Sequence, residues 1–143
     1  MKRHESLVPL SRFHKRVLFL ALLVKKNSPS IKGYPTTTKG KRNYALSFYE
    51  KELKAHFQFE EEKLLPNVRG KNAALDNLAD EIVREHVYFK DLFSDLRIGN
   101  DPENVLHDLG EALEKHIRKE ERQFFQLIQE SLSKQELDQL SLS

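Results

Sequence analysis

Two short segments of the sequence carry the same polar spacing, HFQFEE at 56–61 and HIRKEE at 116–121. In each, a histidine precedes a glutamate by four positions: His56 with Glu60, and His116 with Glu120. Residues four apart on a helix share one face and lie about 6 Å apart along its axis. An imidazole and a carboxylate so placed can converge on one bridged pair of metal ions. Two more histidines, His14 and His86, stand where the surrounding periodicity calls for an apolar residue. A lone histidine on an apolar face is usually a hydrogen-bonded core residue. Four stripes that each hold one, two of them with an added carboxylate, shift the balance towards a metal site.

Energetics point the same way. Two ionised carboxylates at the centre of a helical protein each cost several kcal/mol in lost hydration unless something neutralises them. No lysine or arginine lies on these stripes, so a buried salt bridge is not available. The chain also lacks cysteine, which excludes disulfides, thiolate zinc sites and cysteine-ligated iron–sulfur clusters. Any metal must be held by imidazole and carboxylate, a donor set that suits iron, manganese or zinc.

The elements that would carry these residues are helices. Steps of three and four recur in four segments. They run from about Val8 to Lys26, Arg42 to Leu65, Ala73 to Leu96, and Pro102 to Leu132. Asp101 before Pro102 reads as an N-cap with proline in the first turn. Pro66 and Gly70 read as the end of the second segment, and Gly99-Asn100 as the end of the third. Ser133 with Glu136 reads as a capping box for a short helix from Lys134 to about Leu140. Short turns join the second, third and fourth segments. The expected fold is all-α: a single domain over 1–143, an up-down-up-down antiparallel four-helix bundle with a short extra C-terminal helix. Heights agree where they can be checked. His86 lies 12 residues before Ile98 and His116 lies 14 after Pro102, which levels the two to within roughly 3 Å in a hairpin.

The longer connection, residues 27–41, contains two prolines, two glycines and three lysines. It reads as a flexible surface insertion, or alternatively as a lid or docking loop for an acidic partner. A net charge of only +2 in a chain that is 32% charged gives no sign of nucleic acid as a partner. The longest apolar run, Val17 to Val24, is far shorter than the roughly 20 residues a membrane span needs. The chain therefore reads as cytoplasmic and, with no obvious exposed apolar seam, as a monomer.

These motifs resemble the hemerythrin-like, HHE cation-binding family. The resemblance runs from RHESLVPLSRFH at 3–14 through HFQFEEEKLLP at 56–66 and REH at 84–86 to HIRKEERQFF at 116–125. It implies a four-helix bundle enclosing two iron ions joined by an oxo or hydroxo bridge. His14, His56, His86 and His116 would be terminal ligands, with Glu60 and Glu120 bridging. An open position would then remain for dioxygen, nitric oxide or peroxide. The oxygen carriers of the family place two histidines four apart on the third helix. Here those positions hold Ile82 and Lys90, so one imidazole is missing. Some members carry the second carboxylate one residue later, which makes Glu121 an alternative to Glu120; the match to His56 and Glu60 favours Glu120. Glu61, Glu62 and Glu121 otherwise read as solvated or as supports for ligands. Glu85 reads either as a partner for a ligand imidazole or as a surface residue. His4 and His107 read as surface residues, and Phe57, Phe89, Phe93 and Phe124 as core.

Three functions follow from these readings. The first is a di-iron protein that binds or senses a small ligand or handles iron. The second is an oxidoreductase reducing peroxide or nitric oxide with an external reductant. The third is a metal-free helical interaction module. The chain shows no flavin or cysteine element for electron delivery, which favours binding over catalysis.

Overall fold

The computed structural model describes residues 2–140, and within them the protein is helical, with no strand. Helix α1 spans Val8–Val24. Helix α2 is one continuous rod, built from Thr38–Phe48, a π turn Tyr49–Leu53, Lys54–Phe59, a second π turn Glu60–Leu64, and Leu65–Val68. Helix α3 spans Ala73–Ile98. Helix α4 comprises Pro102–Lys119, a π turn Glu120–Phe124 and Phe125–Ser131. The short α5 is Lys134–Gln139. Among the described residues no helix is long and apolar enough to cross a membrane.

Contacts between the rods fix which ends meet. Arg3 and His4, just ahead of α1, bond Gln129 near the end of α4, while Lys25, just past its other end, pairs with Glu114. Arg42, early in α2, donates to the carbonyls of Leu96 and Arg97 at the end of α3. Arg69, just after α2, meets Asp80 near the start of α3. Asn72 bonds Ser131 at the far end of α4. Gly110 marks a close crossing: a Cβ there would lie 2.6 Å from the Ala21 carbonyl oxygen, so only glycine lets α1 and α4 approach this closely.

Several boundaries differ from the sequence expectation. α1 ends at Val24, two residues early, and Asn27 adopts φ 61. α2 starts at Thr38, because the Thr37 hydroxyl accepts from the Gly40 N–H and nucleates the first turn. α2 also runs past Pro66 to Val68. Proline is tolerated there because it stands in the first turn after a π turn, where the regular ladder is already interrupted. The connection before α2 is packed against the helices: Ser28 bonds the Leu23 carbonyl, Lys41 bonds Ser28, and the Tyr34 ring meets Phe19 and Tyr44. Asp101 does precede α4, but at φ 50 its carboxylate accepts from the Asn104 side chain and caps no backbone N–H. Gly99 at φ 89 closes α3, and the Ser133–Glu136 capping box forms.

The core is split in two. One apolar cluster holds Leu20, Phe48, Leu53, Phe89, Phe93 and Leu113 among others. The second holds Leu7, Leu64, Leu75, Ile82, Phe124 and Ile128, and α5 adds Leu137. The six polar residues singled out by the sequence lie in the layer between them, and all six are buried.

Candidate metal centre

Each rod contributes one imidazole: His14 from α1, His56 from α2, His86 from α3 and His116 from α4. Helices α2 and α4 add Glu60 and Glu120, each 0% exposed. The His14 and His56 rings stand 5.2 Å apart, and so do those of His86 and His116. Nε2 of His86 and of His56 lie 3.2 and 3.5 Å from Glu60 Oε1. Nε2 of His116 and of His14 lie 2.8 and 3.7 Å from Glu120 Oε1. None of these contacts has hydrogen-bond geometry. The four Nε2 atoms and the four carboxylate oxygens are buried with no hydrogen-bond partner among the described residues.

Such a cluster of orphaned polar atoms is strongly unfavourable unless something positive sits between them. A cation fits that requirement. One ligand atom from each of His14, His56, Glu60 and Glu120 can lie within 4.8 Å of the others, and so can one from each of Glu60, His86 and His116. Glu60 belongs to both groups, as a carboxylate shared by two ions would.

The local backbone explains how the glutamates reach the centre. Both begin a π turn, in which the N–H of Leu65 bonds the Glu60 carbonyl and the N–H of Phe125 bonds the Glu120 carbonyl. A π turn adds one residue to a helical turn and is frequent at functional sites. It lets two consecutive residues face the core, Leu64 with Leu65 and Phe124 with Phe125. The paired letters LL in EEEKLLP and FF in EERQFF fall at the ends of these two turns.

Around the centre runs a ring of carboxylates. His14 Nδ1–H donates to Glu121 Oε2 at 2.6 Å, His86 Nδ1–H to Glu61 Oε2 at 2.7 Å, and His116 Nδ1–H to Glu85 Oε1 at 2.6 Å. Each such bond holds the proton on Nδ1 and leaves the Nε2 lone pair facing inward. His56 has no such partner among the described residues. The outer carboxylates are themselves held. Ser11 Oγ donates to both oxygens of Glu121, and Lys119 Nζ donates to Glu85 Oε2 at 2.5 Å. Phenylalanines wall the imidazoles: Phe13 against His56, Phe125 against His14, Phe57 against His86 and Phe89 against His116.

Burial and charge pull the ionisable groups apart. Burial pushes the His56 imidazole down to about 3, only partly offset by the Glu120 charge. Burial also lowers His86, despite Glu61. His116 goes the other way, up to about 9, because the negative charges of Glu120 and Glu85 outweigh its burial. Burial and the Glu120 charge push the Glu60 carboxyl well above its usual range. His116 holds Glu120 well below, against the effect of burial. Glu85 and Glu121 are also lowered, because bonds to their imidazole partners overcome burial.

The other candidates fall into place. Glu121 lies behind His14, at its Nδ1, while Glu120 faces the centre. Glu61 and Glu85 support imidazoles, and Glu62 is exposed. Ile82 is fully buried in apolar surroundings and Lys90 is exposed, so neither replaces the missing fifth imidazole. His4 and His107 are not free surface residues. His4 Nδ1 meets Ser6 Oγ at 2.7 Å and its Nε2 lies 3.2 Å from Asp138. His107 Nδ1 accepts from the Lys26 N–H.

No curated protein and no solved structure matches the chain. The family model for the hemerythrin HHE cation binding domain matches residues 10–128, a span that contains all four imidazoles and both carboxylates of the centre. By that match the chain belongs to the hemerythrin HHE cation-binding domain family.

Proposed function

We propose that the protein holds a pair of metal ions, iron by preference, and binds or handles dioxygen, nitric oxide or iron at that pair. The observation that carries this reading is the set of eight buried, unpartnered nitrogen and oxygen atoms facing one another across the core. His14, His56, His86 and His116 would be terminal ligands, and Glu60 and Glu120 would bridge. The four long rods would run up-down-up-down as an antiparallel bundle, so that ligands from all four arrive at one level. The metal pair would supply redox chemistry and an open position for a small ligand. The chain's own residues bind and orient it: the outer glutamates fix the imidazole tautomers, and the phenylalanines limit water access. Four imidazoles and two carboxylates leave coordination incomplete at a pair of iron ions, consistent with a site that accepts an exogenous ligand.

Metal analysis of protein purified without chelator tests the proposal, together with an ultraviolet-visible spectrum. Two metal ions per chain, lost in His56→Ala and Glu60→Ala, are expected. Metal content near zero in the unaltered protein, or unchanged in those variants, would overturn it. Reversible gas binding, set against turnover of peroxide with an added reductant, then separates a binding role from an enzymatic one.

A further inference from the structure

The two halves of the centre differ in how their imidazoles are held from outside. His14, His86 and His116 each donate an Nδ1–H to a carboxylate, of Glu121, Glu61 and Glu85 respectively. His56 has no such bond among the described residues, and its Nδ1 is not one of the fully buried unpartnered atoms, so that nitrogen reaches solvent. His56 is also the most exposed of the four, at 8% against 5% for His86 and 1% each for His14 and His116.

What stands beside His56 in place of a carboxylate is apolar. The Phe13 ring lies 4.5 Å from its ring. Arg16 lies over Phe13 and binds Glu52, the carboxylate one turn before His56 on α2, at 2.6 Å. Among the described residues, then, no acceptor fixes the His56 tautomer or the rotation of its ring. Access alone does not make this difference. His86 floors a cleft of about 270 Å³ between α2 and α3, yet Glu61 in that cleft closes on its Nδ1–H at 2.7 Å.

The inner carboxylates favour the same half. Glu60 Oε1 is 3.2 Å from Nε2 of His86 and 3.5 Å from that of His56. Glu120 Oε1 is 2.8 Å from Nε2 of His116 and 3.7 Å from that of His14. Both carboxylates thus lean towards the α3/α4 imidazoles. The α1/α2 group counts both glutamates among its donors, but it has the longer contacts and the one unsupported imidazole.

We propose that the ion held by His86 and His116 is resident, and that the ion held by His14 and His56 is exchangeable. The protein then passes one ferrous ion to and from small chelating carriers while keeping the other. The inference rests on the metal reading above and deepens its iron-handling branch. Exchange involves no change of oxidation state: His56 Nε2 leaves the ion, and water or a donor atom of the carrier takes its place. Loss of an outer partner costs about 10- to 100-fold in metal affinity, and His56 starts without one.

Release kinetics test this. The full chain is loaded with ferrous iron under anaerobic conditions and mixed with excess ferrozine, and the coloured complex is followed in time. Biphasic release is expected, with one ion per chain leaving at least about tenfold faster than the other. Glu121→Gln should speed the fast phase and Glu85→Gln the slow phase, each by about tenfold. Both glutamates are partly exposed and glutamine matches them in shape, so packing is kept. Two ions leaving in a single phase would overturn the inference and leave the metal centre standing. So would a slow phase indifferent to Glu85→Gln, or one that responds to Glu121→Gln instead. A chain that takes up no iron would remove the centre itself, and this inference with it.

Discussion

His56 and His116 begin the same His-x-x-x-Glu motif, on α2 and α4, yet their surroundings drive them in opposite directions. His56 is pushed down to about 3 and His116 up to about 9. Both are almost fully buried, so burial does not distinguish them. The difference lies in the carboxylates. His116 has Glu120 at 2.8 Å on one nitrogen and Glu85 at 2.6 Å on the other. His56 has Glu60 at 3.5 Å on one nitrogen and Phe13 against its ring. A motif repeated in sequence is thus not repeated in environment. The α3/α4 half is supported from outside at both imidazoles, by Glu61 and Glu85, and the α1/α2 half only at His14, by Glu121.

The largest test of this asymmetry concerns the two glutamates. Glu60 belongs to both potential ligand groups and Glu120 to one of them. Glu60→Ala should empty both metal positions, whereas Glu120→Ala should leave the α3/α4 position at least partly filled. Metal content per chain reads this directly, and equal loss in the two variants would break the asymmetry.

Next comes pH, in chelator-stripped protein. A group whose folded-state pKa is raised adds stability that is complete below its unfolded value and fades as pH climbs through the folded value. For His116 that window runs from about 6.5 to about 9, and Glu60, also raised, acts in the same sense. The depressed imidazoles of His56 and His86 contribute stability above about 6.5, which is already complete across this window. Stripped protein should therefore lose stability, on the order of 3 kcal/mol, between pH 6.5 and 9. His116→Gln should flatten the slope and His56→Gln should not. Denaturant titrations at several pH values measure it, and stability rising with pH would contradict the assignment.

A smaller effect belongs to the outer carboxylates. Glu85→Gln and Glu121→Gln should each weaken metal binding by about 10- to 100-fold in a competition titration, because the imidazole loses the partner that sets its proton. Smallest is Lys119→Gln. Lys119 reaches Glu85 and Glu81 from a partly exposed position, so its removal should weaken binding only about two- to fivefold. An effect of Lys119→Gln as large as that of Glu85→Gln would show that charge at the rim, not imidazole orientation, governs the site.

Much of the centre was legible in the sequence because its signals are local. A step of four positions from histidine to glutamate puts them on one face in any helix, and an imidazole among leucines stands out. The Gly99 turn and the Ser133–Glu136 box are likewise short-range, and both form. The π turns were harder to read. A periodic template averages over a one-residue insertion, and buried neighbours such as Leu23 and Val24 also occur in regular helix, so the doubled LL and FF do not mark the turns. Glu61, Glu85 and Glu121 were ambiguous for another reason: each partner lies 25 to 107 residues away.

By itself the sequence determined the helical class and the inward-facing imidazoles and carboxylates, and it excluded thiolate chemistry, because these follow from residue type and spacing along one rod. Only the tertiary structure decided that Glu120 faces the centre while Glu121 backs His14, which imidazoles gain an outer carboxylate, and where the cleft beside His86 opens. Those outcomes depend on how each rod is rotated against its neighbours, a long-range quantity set by packing that no single helix encodes.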